Sequence, residues 1–439
     1  MEVGSMLKVI MLSAALLVLL VVTAGVSVAE SSVDLPGFIS IKGGQSHILA
    51  LGDDGTVWGW GLNSEGRIGI EQNDVIVTQP ARVEGVSNVT AIDSFFSDSM
   101  ALRDDGTVWV WGESSRYFKN DSVGLQVPVQ VPGISGVRQV VCGQWYGIAL
   151  RDDGTVWAWG SNDHGQLGDG TQVSAHYYTT PVQVPGLSEV RLIATNGGTI
   201  FAVKADGVWA WGATHEAMTG WSGMGKKVYT SKPIQVVSLP GIVSCAVNNE
   251  QLYMVTENGE VWVKDGTSNG SLIPSRVFGL QDILLVNAGI SHVVALGRDG
   301  SVYAWGENDH GQIGDGTTTD RQTPYKVDVP PAKTVFAGYY QTFIIDENDD
   351  LWGWGRDEIG ELGAGKSQAR TLPVKASFNG DAITPIETAT TSTVTSQPQI
   401  NTVTGQPASG PGFGANIIVV LGCLSITAIL ISRYAGGKR

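Results

Sequence analysis

The amino-acid sequence predicts an all-β protein: a seven-bladed β-propeller of four-stranded antiparallel blades, with an N-terminal signal helix and a C-terminal apolar helix. Three observations support the propeller. A phrase built from a polar turn, usually Asp-Gly, and a Val-Trp-x-Trp-Gly strand occurs seven times and holds 12 of the 14 tryptophans. The copies are 41 to 53 residues apart, and such a period indicates repeated supersecondary units. A second marker, a proline with valine three positions later in six copies, also occurs seven times.

Each copy contains the elements of a small antiparallel sheet. Apolar residues alternate along Thr155–Trp159, which places Trp157 and Trp159 on one face of a strand. The preceding Asp-Gly suits a tight hairpin, because glycine accepts the positive backbone angles of such turns. Gln144–Leu150 is the expected partner strand.

One sheet of this size cannot bury both of its faces, so the copies must stack. An open stack needs special end units, yet the first and last copies are complete. A closed ring buries every face and is expected to span roughly residues 39–377, within a domain of residues 30–380.

The repeated pattern resembles the regulator of chromosome condensation repeat. It reads Gly-x-x-His, Ala-Leu-x-x-Asp-Gly, Val-Trp-x-Trp-Gly-x-Asn, Gly-Gln-Leu-Gly-x-Gly and Pro-x-x-Val, and residues 47–67, 146–184 and 292–327 carry it nearly whole. The resemblance implies a seven-bladed ring. Eukaryotic members act in the nucleus as nucleotide-exchange factors on a small GTPase, an activity that the next features argue against here.

The N-terminus predicts export. Residues 1–29 contain Lys8, an apolar run over residues 9–22 and a Ser-Val-Ala end before Glu30, which is the pattern of a cleaved signal peptide.

The C-terminus predicts an anchor. Residues 381–410 are rich in Thr, Ser, Gln and Pro and are expected to form a stalk. Residues 411–439 then hold an apolar run over 417–432 and a basic tail. Together with Pro411, Gly412 and Phe413, this end resembles archaeal C-terminal sorting signals, which implies cleavage and transfer to a lipid. A plain transmembrane tail is the alternative. Either arrangement places the ring on the outer face of the cell envelope.

The charge of the chain argues against nucleic acid as a partner. The net charge is −15 at pH 7; residues 1–29 are neutral overall and the last seven residues carry three positive charges, so the rest carries −18. A phosphate backbone is repelled by such a field.

The sequence shows no convincing catalytic, metal or cofactor motif. Gly266–Gly270 matches a nucleophile elbow but lacks its strand and helix context. His47 and His292 share one repeat position and are expected to make structural hydrogen bonds, whereas His164 and His310 are expected to face solvent. Cys142 and Cys245 are assigned to one repeat position in blades three and five, too far apart for a disulfide.

The variable part of each copy predicts the binding surface. The segment between the second aromatic position and the proline ranges from 10 to 22 residues, and such variation marks the loops of one rim. In copies two to four these loops hold residue types common in binding hot spots. The candidates are Arg116, Tyr117, Phe118, His176, Tyr177, Tyr178, Met218, Trp221, Lys226, Lys227 and Tyr229. The alternative is that these side chains only pack their own loops onto the ring.

These observations favour a monomeric, non-catalytic recognition or adhesion propeller for an extracellular protein or glycan. Asn88, Asn120 and Asn269 begin glycosylation sequons. The alternative function is an exported hydrolase or lyase with carboxylates at the ring axis. Converging carboxylates would favour the enzyme, and an exposed aromatic patch on one rim would favour the binding protein.

Overall fold

The computed structural model describes residues 35–378, apart from 72–75, 116, 117, 119–124, 216–226, 249–250, 266–272 and 364–368. The predicted signal peptide, stalk, sorting signal and C-terminal helix lie outside the described residues. Among the residues that are described, no helix has the length and apolar character needed to cross a membrane.

The described chain forms seven sheets of four consecutive strands. In blades 1 to 4 the strands are β1 (Phe38–Gly43), β2 (His47–Gly52), β3 (Val57–Leu62), β4 (Ile76–Arg82), β5 (Val89–Phe95), β6 (Asp98–Arg103), β7 (Val108–Gly112), β8 (Leu125–Gln130), β9 (Val137–Gly143), β10 (Tyr146–Arg151), β11 (Val156–Asn162), β12 (Val173–Gln183), β13 (Leu192–Thr195), β14 (Thr199–Lys204), β15 (Gly207–His215) and β16 (Lys227–Val237). In blades 5 to 7 they are β17 (Ile242–Val247), β18 (Gln251–Thr256), β19 (Val261–Asp265), β20 (Ser275–Arg276), β21 (Ile283–Ala288), β22 (His292–Gly297), β23 (Val302–Gly306), β24 (Arg321–Lys326), β25 (Ala332–Ala337), β26 (Gln341–Asp346), β27 (Leu351–Gly355) and β28 (Arg370–Lys375). Short 3-10 turns occupy Ser64–Gly66 and Glu113–Ser115.

Every blade is an antiparallel meander, so the predicted seven-bladed propeller is confirmed. The first strand of each blade lines a cavity on the ring axis, and the fourth strand is the free outer edge. The recurring prolines, such as Pro80 in β4 and Pro324 in β24, lie in or next to these outer strands. An edge strand tolerates proline because its outward backbone groups have no partner strand.

A repeated loop joins four of the blades to the blade that follows. We define the latch loops as residues 63–69, 162–168, 308–314 and 357–363, between the third and fourth strands of blades 1, 3, 6 and 7. In each, the side-chain oxygen of the first residue accepts a hydrogen bond from the amide five positions later, at 2.9 to 3.2 Å. The apolar residue that carries this amide is buried in the blade interface; these residues are Ile68, Leu167, Ile313 and Leu362.

The next blade completes the contact with a tryptophan. Nε1 of Trp211 donates to the Gln166 carbonyl at 2.9 Å, and Nε1 of Trp354 donates to the Gln312 carbonyl at 2.9 Å. Both indoles are fully buried. A Cβ added at Gly314, whose φ is +79°, would lie 2.7 Å from Trp354 Nε1, so only glycine fits there. In blade 2 the Trp111 ring packs on the corresponding glycine without this hydrogen bond.

The same contact closes the ring between blades 7 and 1. Nε1 of Trp60 donates to the Glu361 carbonyl at 2.7 Å. The rings of Phe38 and Phe378 lie 6.3 and 5.6 Å from the Trp60 ring, and 5.9 Å from each other. Among the described residues no strand is exchanged between the first and last blades, so packing and this hydrogen bond close the ring.

The two histidines of the repeat have the structural role that the sequence predicts. His47 Nε2 lies 2.9 Å from Ser99 Oγ, and Ser99 Oγ donates to the Arg67 carbonyl at 2.7 Å. Since the serine uses its only hydrogen on the carbonyl, it accepts a hydrogen from His47 Nε2. His292 makes the equivalent contact with Thr342 at 3.0 Å. Burial lowers the pKa of His47 to about 3 and of His292 to about 4, so both rings are neutral.

Blade 5 departs from the repeat pattern. Buried Lys264 replaces the second tryptophan of blade 5, and β20 has only two residues.

Cys142 and Cys245 are free, as expected. Their assignment to one repeat position is wrong: Val140 of blade 3, not Cys142, matches Cys245, because each lies opposite the equivalent residue of the second strand. Burial raises the pKa of both thiols.

One latch residue is predicted to make stability depend on pH. Asp357 replaces the asparagine of the other three latch loops and is fully buried, and burial raises its pKa to about 7. The unfolded chain loses this proton near pH 4 and the folded chain near pH 7, so folding stability falls as pH rises between these values. Asp357→Asn should therefore raise the melting temperature more at pH 8 than at pH 4. The difference between the two pH values should be on the order of 2 kcal/mol in the free energy of unfolding.

Thermal unfolding at both pH values measures this difference, with Asp328→Asn at an exposed position as the control. An equal effect of Asp357→Asn at pH 4 and pH 8 would show that folding does not raise the pKa of Asp357.

Candidate binding face

One face of the ring collects two sets of turns from every blade. Because the strands alternate in direction, the turn between the first and second strands lies beside the loop between the third and fourth. Backbone hydrogen bonds join them: the amide of Ser161 donates to the Trp145 carbonyl at 2.8 Å, and the amide of Arg356 donates to the Tyr340 carbonyl at 3.0 Å. We call this the upper face. The Asp-Gly hairpins lie on the opposite, lower face.

Aromatic residues lie near the axis on the upper face. We define the inner ring as Phe95, the last residue of β5, together with Phe96, Trp145, Tyr339 and Tyr340, which lie in the turns between the first and second strands of blades 2, 3 and 7. Trp145 is 37 % exposed. Its φ is +63°, a conformation that a bulky residue adopts only when its surroundings impose it.

A buried carboxyl helps to impose the Trp145 conformation. Asp98 Oδ2 accepts the Trp145 amide at 3.3 Å, and its Oδ1 accepts the Ser114 amide at 2.7 Å. Burial raises the pKa of Asp98 to about 7. Asp98 occupies the repeat position of His47 and joins blade 2 to the turn that presents Trp145, so its perturbed pKa has a structural explanation.

The inner ring continues outward as a chain of tilted and edge-to-face ring contacts. The ring centroids of Phe95 and Tyr339 are 6.5 Å apart, and those of Tyr339 and Tyr340 are 5.1 Å apart. Tyr340 lies 4.8 Å from the His310 ring and is covered by the Arg356 guanidinium at 5.7 Å. The upper face therefore presents flat, amphipathic groups from the axis to the latch loop of blade 6.

The axis itself holds a cavity of about 230 Å³ beneath the inner ring. Lys42 Nζ and Asp93 Oδ1 are 3.3 Å apart in its wall, and Asp93 Oδ2 accepts the Cys142 amide at 2.7 Å. Asp93 is the only carboxylate among the described residues that line the cavity. The converging carboxylates expected of an axial hydrolase are not present in this lining.

The described candidates of the variable loops pack against each other. Phe118 and Tyr177 meet edge to face at 6.1 Å, and Tyr178 packs onto the core of blade 3. Tyr229 is 45 % exposed and stacks on the His164 ring at 4.6 Å. His164 and His310 are therefore half-buried beneath tyrosines, and the expectation that they simply face solvent is wrong.

Several predicted site residues fall outside the described part of the chain. These are Arg116, Tyr117, Met218, Trp221, Lys226, the sequons at Asn120 and Asn269, the sorting residues Pro411, Gly412 and Phe413, and the side chains of His176 and Lys227. Asn88 is described and is exposed in a turn with φ +55°. Among the described residues, no group of three His, Cys, Asp or Glu side chains is placed to hold a metal.

Sequence reasoning missed the inner ring, although a signal was present. Trp145 and Trp221 are the two tryptophans outside the repeated phrase, but only the loop around Trp221 varies in length. The turn before the second strand has a similar length in most blades, so its aromatic residues stand out only when the copies are compared position by position.

Comparison with known proteins identifies the repeat. One description of the regulator of chromosome condensation repeat matches residues 54–99, 153–203 and 299–345, and a second matches 38–67, 137–166 and 283–312. The chain carries regulator of chromosome condensation repeats. The matches include the latch loops of blades 1, 3 and 6 but not that of blade 7.

Several relatives share these repeats over part of their length. E3 ubiquitin-protein ligase HERC2 of Homo sapiens is 26 % identical over 328 residues, which cover 68 % of this chain and 6 % of HERC2. Protein pim1 of Schizosaccharomyces pombe is 30 % identical over 315 residues, covering 64 % of this chain and 49 % of pim1. The chain thus spans less than two thirds of these relatives.

Solved structures share the fold. Human WBSCR16 superposes with a TM-score of 0.60 at 23 % identity, covering 70 % of this chain and 86 % of that protein. Prp20p of Saccharomyces cerevisiae superposes with a TM-score of 0.58 at 22 % identity, covering 69 % and 80 %.

Proposed function

We propose that this ring is a non-catalytic recognition module, held on the outer face of the cell envelope, that binds a protein or glycan partner through its upper face. The observation that supports this most is the inner ring of aromatic side chains, which includes an exposed tryptophan in a conformation imposed by Asp98. Exposed aromatic clusters are typical of recognition surfaces.

The contacts of the rim divide the candidate residues by role. Phe118, Tyr177 and Tyr178 pack within or between blades, so their substitution should cost stability. Trp145 and Tyr229 keep more than a third of their surface exposed. These two side chains are therefore the candidates for direct contact with a partner.

The relatives are compatible with binding but do not supply a partner. Prp20p binds Gsp1p and histones, so a ring of this fold serves protein binding there. HERC2 is a ubiquitin ligase, but the similarity covers 6 % of it. The strongly acidic charge of this chain disfavours nucleic acid as a partner.

Envelope display is supported by the sequence of the two ends. The cleaved signal pattern of residues 1–29 and the stalk and apolar segment of residues 381–439 would export the ring and tether it. The sequon at exposed Asn88 would then face glycosylation enzymes.

Substitution of Trp145 and Tyr229 should separate binding from folding. With the purified full chain as bait in envelope extract, Trp145→Ala and Tyr229→Ala should each reduce capture of the partner that the wild type retains, about tenfold or more by the energetics of interface aromatics. Their melting temperatures should stay within a few degrees of wild type. Phe278→Ala is the matched control, because Phe278 is 79 % exposed on the lower face. Equal capture by all variants would place the interface elsewhere.

Surface labelling of intact cells should place the ring outside the membrane. A membrane-impermeant amine reagent should modify exposed lysines such as Lys333 before lysis, while a cytosolic marker protein stays unlabelled. Intact-mass measurement should find residues 1–29 removed. Labelling that requires lysis would contradict the proposed location.

A further inference from the structure

We propose that the axial cavity binds the terminal residue of a neutral glycan, with the inner ring stacking on the sugar that enters it. This inference rests on the proposed function, since it names the partner class that the upper face recognises. Three features of the described cavity support it: its size, its balance of charge and its aromatic mouth.

The size of the cavity limits the ligand to one small unit. Its volume is about 230 Å³, below the roughly 300–1,000 Å³ of pockets for drug-sized ligands. Its wall consists of the first strands of all seven blades, and it extends to the upper-face turns that hold Asn196, Ile290 and Tyr339. A ligand that reaches it from the upper face must therefore present a narrow, compact end.

The charged groups of the lining favour a neutral ligand. Lys42 and Asp93 are the only charged side chains among the described lining residues, and they pair at 3.3 Å. A bound anion would compete with Asp93 for Lys42, and a bound cation would compete with Lys42 for Asp93. The ammonium group retains further N–H donors and the carboxylate retains lone pairs. A hydroxyl group of a sugar both donates and accepts, so adjacent hydroxyls match this pair.

The mouth of the cavity is aromatic. Phe95 and Tyr339 both line it, from blades 2 and 7, with centroids 6.5 Å apart. The Phe95 ring crosses to Gly197 of blade 4, where any Cβ would overlap it. Aromatic rings offer flat apolar surface beside polar tips, which suits the C–H face of a pyranose whose hydroxyls project from its edge.

Titration calorimetry with free sugars tests this site directly. The purified full chain, in a detergent without a sugar headgroup, is titrated with glucose, galactose, mannose and N-acetylglucosamine. At least one should bind at a single saturable site. Asp93→Asn should weaken that binding roughly tenfold, the effect of one buried hydrogen bond.

Phe278→Ala is the matched control, since Phe278 is exposed and lies outside the cavity lining, and it should keep the sugar affinity within about twofold. The inference is overturned if no sugar binds saturably, if Asp93→Asn binds sugar like wild type, or if acetate, glycine or a protein partner occupies the cavity while sugars do not. If sugars fail but Trp145→Ala still releases the envelope partner, recognition by the upper face stands and only the glycan assignment falls. If sugars bind in the cavity but Trp145→Ala retains the envelope partner as wild type does, the sugar site stands and the interface at the rim falls.

Discussion

The buried indole N–H groups of Trp60, Trp211 and Trp354 impose the constraint on which three blade interfaces depend. A large apolar side chain that fills a blade interface stabilises the ring, but its N–H needs an acceptor there, and leaving it unpaired costs about 1–3 kcal/mol. The latch loop of the preceding blade supplies a backbone carbonyl, as Gln166 does for Trp211 and Gln312 does for Trp354. At these interfaces one contact joins the loop of one blade to the core side chain of the next.

The latch also explains why the upper face can vary. Its requirements are a short polar side chain that caps the loop, an apolar residue that fills the interface and a glycine beneath the next indole. Residues beyond these positions are free to change in length and type, as the extended β12 and β16 show. Backbone strain at Trp145 is tolerated because Asp98 of the neighbouring blade accepts a hydrogen bond from its amide. The presentation of a recognition residue is thus coupled to the same blade interface that holds the ring together.

The sequence predicted the fold well because its repeated markers occupy the same structural position in each blade. The paired tryptophans, the outer-strand prolines and the roles of His47 and His292 follow from alternation and repeat counting, and these features depend on local geometry. The inner ring could not be predicted in this way, since only closure brings Phe95 of blade 2 next to Tyr339 of blade 7. For the same reason, counting residues did not show that Tyr229 stacks on His164 or that Cys142 and Cys245 differ in register.

Hydrogen exchange of the tryptophan indoles, followed by NMR, tests most directly whether the same latch holds the interfaces of Trp60, Trp211 and Trp354, including the closure between blades 7 and 1. The account predicts that the Trp60 N–H, bound to the Glu361 carbonyl, exchanges as slowly as those of Trp211 and Trp354. The half-buried indoles of Trp109 and Trp157 should exchange faster. If Trp60 exchanges as fast as these two while Trp211 and Trp354 stay protected, the ring is not closed by the latch.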